Sequence, residues 1–140
     1  MDMKKLLLGT LAGGIVYFLL GYLVYGMLMA DFFAGYSSSG AIALMKSEEE
    51  MKFYPLALGN FAHAALLAYI FLKWANIKSF GEGIMGGAVI GLLMTAGYDL
   101  VMYDTMKMMS IVGIGVDIIV YTIMTAIVGG VVGGVLGMGK

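Results

Sequence analysis

Four stretches of this chain are long and apolar enough to need lipid rather than a protein core around them. Leu6–Ala30 carries no charged side chain, Phe53–Leu72 ends at Lys73 and Trp74, Gly83–Tyr103 holds one charge, Asp99, and Ile111–Met138 holds one, Asp117. The hydrocarbon layer of a bilayer is crossed by about 20 apolar residues in a helix. No water reaches that layer, so a spanning segment must satisfy its own backbone, and each stretch is predicted to be an α-helix. The predicted spans lie at about 6–30, 53–75, 83–105 and 111–138. They leave an outer loop at 31–52 and make residues 1–140 a single four-span domain. Composition agrees: the 140 residues are 61% hydrophobic and 12% charged, against about 25% charged in a soluble domain.

The expected fold is all-α: an integral membrane, up-down four-helix bundle in which short connections make consecutive helices antiparallel neighbours. Helices 1 and 4 close it. Lysine counts orient it. Lys4, Lys5, Lys73, Lys78 and Lys140 fall on one side, and Lys46, Lys52 and Lys107 on the other, diluted by Glu48, Glu49 and Glu50. Both termini are therefore expected in the cytoplasm. The basic, apolar start resembles a signal peptide, but its run is too long and no small-residue cleavage site follows, so it is read as a retained helix.

The same composition excludes several functions. There is no cysteine and no arginine, so thiolate chemistry and guanidinium grips on phosphate are unavailable. Net charge is −1 and no basic run suits nucleic acid. Ser47 and Glu50 form a capping-box pattern, so helix 2 is expected to begin near Ser47, with Pro55 early in it. The glutamates at 48–50 then read as a solvated first turn rather than a cation site.

Two carboxylates inside apolar runs are the anomaly, because each costs several kcal/mol if it faces lipid. Counted from the outer helix ends at about 1.5 Å per residue, Asp99, Asp117, Asn60 and His63 all fall roughly 6–15 Å deep. Tyr22 and Tyr25 of helix 1 lie at comparable depth. Thr95, Asp99 and Tyr103 follow one another at four-residue spacing, and Asp117, Tyr121 and Thr125 repeat the pattern. These stripes should face each other or the bundle interior. Glycines gather in the opposite half: Gly13, Gly87, Gly91, Gly129, Gly133 and Gly137 mark faces where helix backbones can approach closely. The reading is a closed inner floor beneath an outward-facing polar vestibule lined by Asp99, Asp117, Asn60, His63, Tyr103, Tyr121, Tyr22 and Tyr25.

His63, Asn60 and the aspartates include donors a divalent metal accepts. A lone membrane histidine more commonly hydrogen-bonds across helices, and no metal or other cofactor is expected. The methionines at 102, 106, 108 and 109 suit Cu(I), but flexible packing is the commoner use of methionine. No nucleophile stands beside His63, so an enzyme is not expected.

Residues 97–121 resemble a family of small bacterial membrane proteins, domain of unknown function 2177. Tyr98, Asp99, Leu100, Thr105, Lys107, Ser110, Val116 and Asp117 carry the likeness, with the two aspartates at the family's separation. Val101-Met102 stands where the family usually has Thr-Asn, and the Trp after the second Asp is missing. "GYLVYGMLMADFF" in helix 1 is similar to the start of the related domain of unknown function 1761, with Val24 in place of a Trp. The resemblance implies a four-helix fold, an aspartate pair and a bacterial inner membrane. The expected role is a non-enzymatic binding or transport component, and the expected partners are membrane lipids. The alternative is a small scaffold or accessory subunit that forms homo-oligomers through its glycine faces, with the aspartates as structural ties.

Overall fold

The computed structural model describes residues 1–138, and within them every regular element is a helix. Lys140, one of the lysines that orient the chain, lies outside the described residues. Four helices are long and apolar enough to cross a membrane. The first is α1 (Met3–Leu23), extended by a π-helical turn at Val24–Leu28. Two short helices follow, α2 (Ala30–Tyr36) and α3 (Ser39–Leu44). Then come α4 (Tyr54–Ile70), with a π-helical turn at Phe71–Ala75, α5 (Phe80–Thr105) and α6 (Ile111–Leu136).

Helix starts follow from side chains that supply the missing acceptor for free backbone N–H groups. Asp2 accepts from Lys5 N–H at 3.2 Å, Ser79 from Glu82 N–H at 3.2 Å and Ser110 from Gly113 N–H at 3.4 Å. The Ser47–Glu50 pair behaves differently from expectation. Ser47 donates to Glu50 from its N–H at 3.0 Å and from its hydroxyl at 3.1 Å, holding the exposed Glu50 carboxyl below its ordinary pKa. Yet this closes only one isolated turn, and α4 begins after Phe53, whose φ of 66° reverses the chain. Pro55 is the reason: a helix running through it from Ser47 would drive its ring into the carbonyl of Met51. Pro55 fits only in the first turn, where the structure places it.

The tightest contact joins α5 to α6. The helices run antiparallel, with Gly83 against Gly129, Gly87 against Thr125 and Gly129, and Gly133 against Ser79 and Gly83. A Cβ on Gly83, Gly87, Gly129, Gly133 or Gly137 would run into backbone atoms of the facing segment. Gly13 does the same service for α1, where a Cβ would sit 2.6 Å from Val132 and 3.1 Å from Ala64. Helix α1 thus packs on both α4 and α6, and Ala64, Ala68, Val128 and Val132 are fully buried around it.

The consecutive helices α4 and α5 depart from the expected neighbour rule, since they share no extended backbone seam. Side chains such as Phe71 against Gly86 bridge them near the end where the glycines lie. At the other end they stand apart. The 31–52 connection, expected as a plain loop, folds over that same end. Ser38 N–H donates to Met108 O at 2.9 Å, Ser110 N–H donates to Tyr36 O at 2.8 Å, and Phe33 stacks on Tyr25.

The seam generates a test. Gly87→Val should destabilise the fold by about 1–3 kcal/mol, the usual cost of overpacking. Gly97→Val, at a position with no neighbour within 4 Å, should change it by less than about 0.5 kcal/mol. Equilibrium unfolding in mixed micelles reads the difference, and equal effects would contradict the seam.

Candidate functional site

The α5–α6 register that aligns the glycines carries on toward the other end. One and two turns beyond Gly91 it brings Thr95 and Asp99 of α5 opposite Tyr121 and Asp117 of α6. Side chains now fill the interface where hydrogens did, so the space between helices widens. A cavity of about 480 Å³ opens there, lined by Tyr25, His63, Met94, Thr95, Tyr98, Asp99, Asp117 and Tyr121. It draws on all four long helices.

Asp99 is 4% exposed and its carboxyl lies within hydrogen-bonding reach of Asp117. Asp117 Oδ1 accepts a 2.6 Å hydrogen bond from the Tyr25 hydroxyl. Asp99 Oδ2 has no donor, and neither has Thr95 Oγ1, whose residue is 7% exposed. Buried polar atoms of a folded protein are nearly always partnered, so two orphans in one cavity ask for an explanation. Two ionised carboxylates at this range repel, and a proton or a cation between them relieves the repulsion.

Tyr25 stands in the π-helical turn at Val24–Leu28 and, like Tyr17, reaches a side chain of α6. Beneath the cavity lies a chain of hydroxyls. Tyr17 donates to Tyr121 at 3.0 Å and pairs with Thr125 at 2.7 Å, and Tyr121 pairs with His63 Nδ1 at 3.3 Å. Each hydroxyl has one proton to give. With Tyr17 donating to Tyr121, Thr125 must donate to Tyr17, and Tyr121 is free to donate to His63. The chain ties α1, α4 and α6 together at one level.

Five of the eight expected vestibule residues meet in the cavity: Asp99, Asp117, His63, Tyr121 and Tyr25. Tyr103 does not line it, and is 44% exposed. An α-helix advances about 100° per residue, so four-residue spacing drifts about 40° each step. The cavity face of α5 runs from Asp99 back through Thr95, Tyr98 and Met94, and Tyr103 drifts off its other edge. Tyr22 is likewise on the exposed surface, and the Asn60 amide turns onto its own helix, donating to Leu56 O at 2.8 Å. Tyr17, buried at the centre of the hydroxyl chain, was missed by counting depth from the outer helix ends. Its signal was the spacing Gly9, Gly13, Tyr17, which puts it on the face where α1 packs closest. Among the described residues no cluster of three or more His, Cys, Asp or Glu could hold a metal ion.

No family model matches the chain, and no curated protein or solved structure is significantly similar to it.

Removing single hydroxyls tests the network. Tyr17→Phe should cost about 1–2 kcal/mol, toward the upper end for hydrogen bonds between membrane helices, and Tyr25→Phe nearer the average of about 0.6 kcal/mol. Tyr22→Phe should be silent. Unfolding in mixed micelles gives the order, and a Tyr22 effect as large as that of Tyr17 would contradict it.

Proposed function

We propose that this chain is a bacterial inner-membrane protein, an up-down four-helix bundle with both termini in the cytoplasm. It acts as a non-enzymatic binding or transport component, and the cavity around Asp99 and Asp117, in the outer half of the bundle, is its ligand site. One observation carries this reading: two carboxyls from different helices meet in a shared cavity with buried oxygen atoms left unpartnered. An ionisable group inside a membrane span is costly, and its usual return is function.

Orientation rests on the lysines, since Lys4, Lys5, Lys73 and Lys78 lie at the glycine end, and Lys46, Lys52 and Lys107 at the cavity end. A bacterial home is proposed from the resemblance of residues 97–121 to domain of unknown function 2177, which no family-model match accompanies. Five of the cavity residues, Asp99, Asp117, His63, Tyr25 and Tyr121, are assigned to ligand binding.

The scaffold alternative has one observation in its favour, the Tyr25–Asp117 bond, which ties α1 to α6. It loses another, because Gly13, Gly87, Gly129, Gly133 and Gly137 are occupied within the chain rather than presented to a second copy.

Native mass spectrometry of protein released gently from its own membranes separates the two. A defined small mass, retained by the wild-type chain and lost from Asp99→Asn while assembly is unchanged, is the expected result. Bare or merely lipid-decorated protein, with Asp99→Asn disrupting assembly instead, would favour the structural role.

A further inference from the structure

The chemistry of the cavity walls narrows what they can hold, granted the reading of the cavity as a binding site. Two polar side chains there, Asp99 and Thr95, are more than nine-tenths buried and leave an oxygen without a partner, and the carboxylate oxygen can only accept. The polar group facing Asp99 is a second carboxyl, and no lysine lines the cavity. An anionic head would meet two carboxyls and no lysine. A bare metal ion fits poorly too, because hard cations take about six or more oxygens at close range, and the space is about 480 Å³. Tyr25, Tyr98 and Tyr121 line the same space, and their ring faces attract organic cations.

Access comes from the side. No residue of the connection between α1 and α4 lines the cavity, whereas Met94 and Tyr98, on the edge of α5 away from α6, are exposed, Tyr98 by 72%. In a bilayer that edge meets lipid. Below the rim, the space between α4 and α5 narrows to a void of about 10 Å³ beside Leu66 and Ile90, room for one water and not for an alkyl chain. An apolar tail attached to a group in the cavity can therefore leave only past the exposed Met94 and Tyr98, into lipid.

We infer that the cavity takes an amphiphilic organic cation, an amine or quaternary ammonium with an apolar tail, which enters sideways from the lipid between α4 and α5. Its head lies between Asp99 and Asp117, and its tail leaves past Met94 and Tyr98 into the lipid. Charge complementarity selects the head, and the exposed rim at Met94 and Tyr98 admits the tail.

Equilibrium binding of dodecyltrimethylammonium to the full chain in lipid nanodiscs, corrected for empty discs, tests this. Dodecanoate serves as the anionic control and tetramethylammonium as the tailless competitor. Saturable binding of the ammonium is expected, weakened roughly tenfold or more by Asp99→Asn and by Met94→Trp, which narrows the opening between α4 and α5 and leaves both carboxyls in the chain. Dodecanoate should not saturate, and tetramethylammonium should not displace. Displacement by tetramethylammonium, or full binding by Met94→Trp, would overturn the sideways entry and the lipid-seated tail. Should Asp99→Asn fail to fold, Met94→Trp decides alone. Saturable, Asp99-dependent binding of dodecanoate instead would refute the cation while leaving the site itself standing. If no probe of either charge binds in a way that responds to Asp99 or Met94, this inference is refuted, and the retained mass sought by native mass spectrometry decides the binding reading separately.

Discussion

Close backbone contact between α5 and α6 is the constraint on which the rest of the structure depends. Lipid tails are as apolar as leucine, so helices in a membrane gain little by hiding apolar side chains from their surroundings. What holds them is dispersion contact at short range, and glycine allows the shortest. Gly83 and Gly87 on α5 meet Gly129 and Gly133 on α6 with backbone against backbone, and Gly91 makes room for the Thr125 side chain. Once that register is set, everything further along the two helices is aligned with it. Thr95, Asp99, Asp117 and Tyr121 meet because the glycines before them do.

The cavity is then a consequence of unequal packing. α1 sits against both α4 and α6, pinned at its middle by Tyr17, whose hydroxyl joins Tyr121 and Thr125. Nothing comparable holds α4 to α5. A pair of helices that are consecutive in the chain yet unseamed leaves a gap that is bridged at one end by Phe71 and opens at the other onto the carboxyls. The polar groups there are held by the bundle at a cost that hydrogen bonds only partly offset, since Asp117 has Tyr25 but Asp99 Oδ2 has no donor.

The sequence read well wherever one physical rule acted alone. Hydrophobic length located the four long helices to within about three residues at most boundaries, and small-residue spacing identified the glycine seam. It read less well where two rules competed. Ser47 and Glu50 do form their capping contacts, but Pro55 sets the start of α4. Four-residue spacing put Tyr103 beside Asp99, but helical drift carries it away and brings in Met94 and Tyr98, which no polar pattern marked. The short helices α2 and α3 carry no periodic signal and exist because the connection docks on residues 107–110. Short connections implied that α4 and α5 would pack together, whereas the glycines commit α5 to α6. That departure could not be read locally, because it depends on which of two available faces α5 uses.

The central claim is that α4 and α5 face one another across an open space rather than a packed interface. The chain has no cysteine, so a His63→Cys, Tyr98→Cys pair can be introduced without background and treated in native membranes. A flexible bifunctional thiol reagent should join the two positions, while mild oxidation should not, because a disulfide needs Cα atoms within about 7 Å. Direct oxidation to a disulfide would mean the two helices are packed together and the cavity is closed. Failure to join with a reagent of any length would mean that they do not share a cavity, and either result would contradict the account.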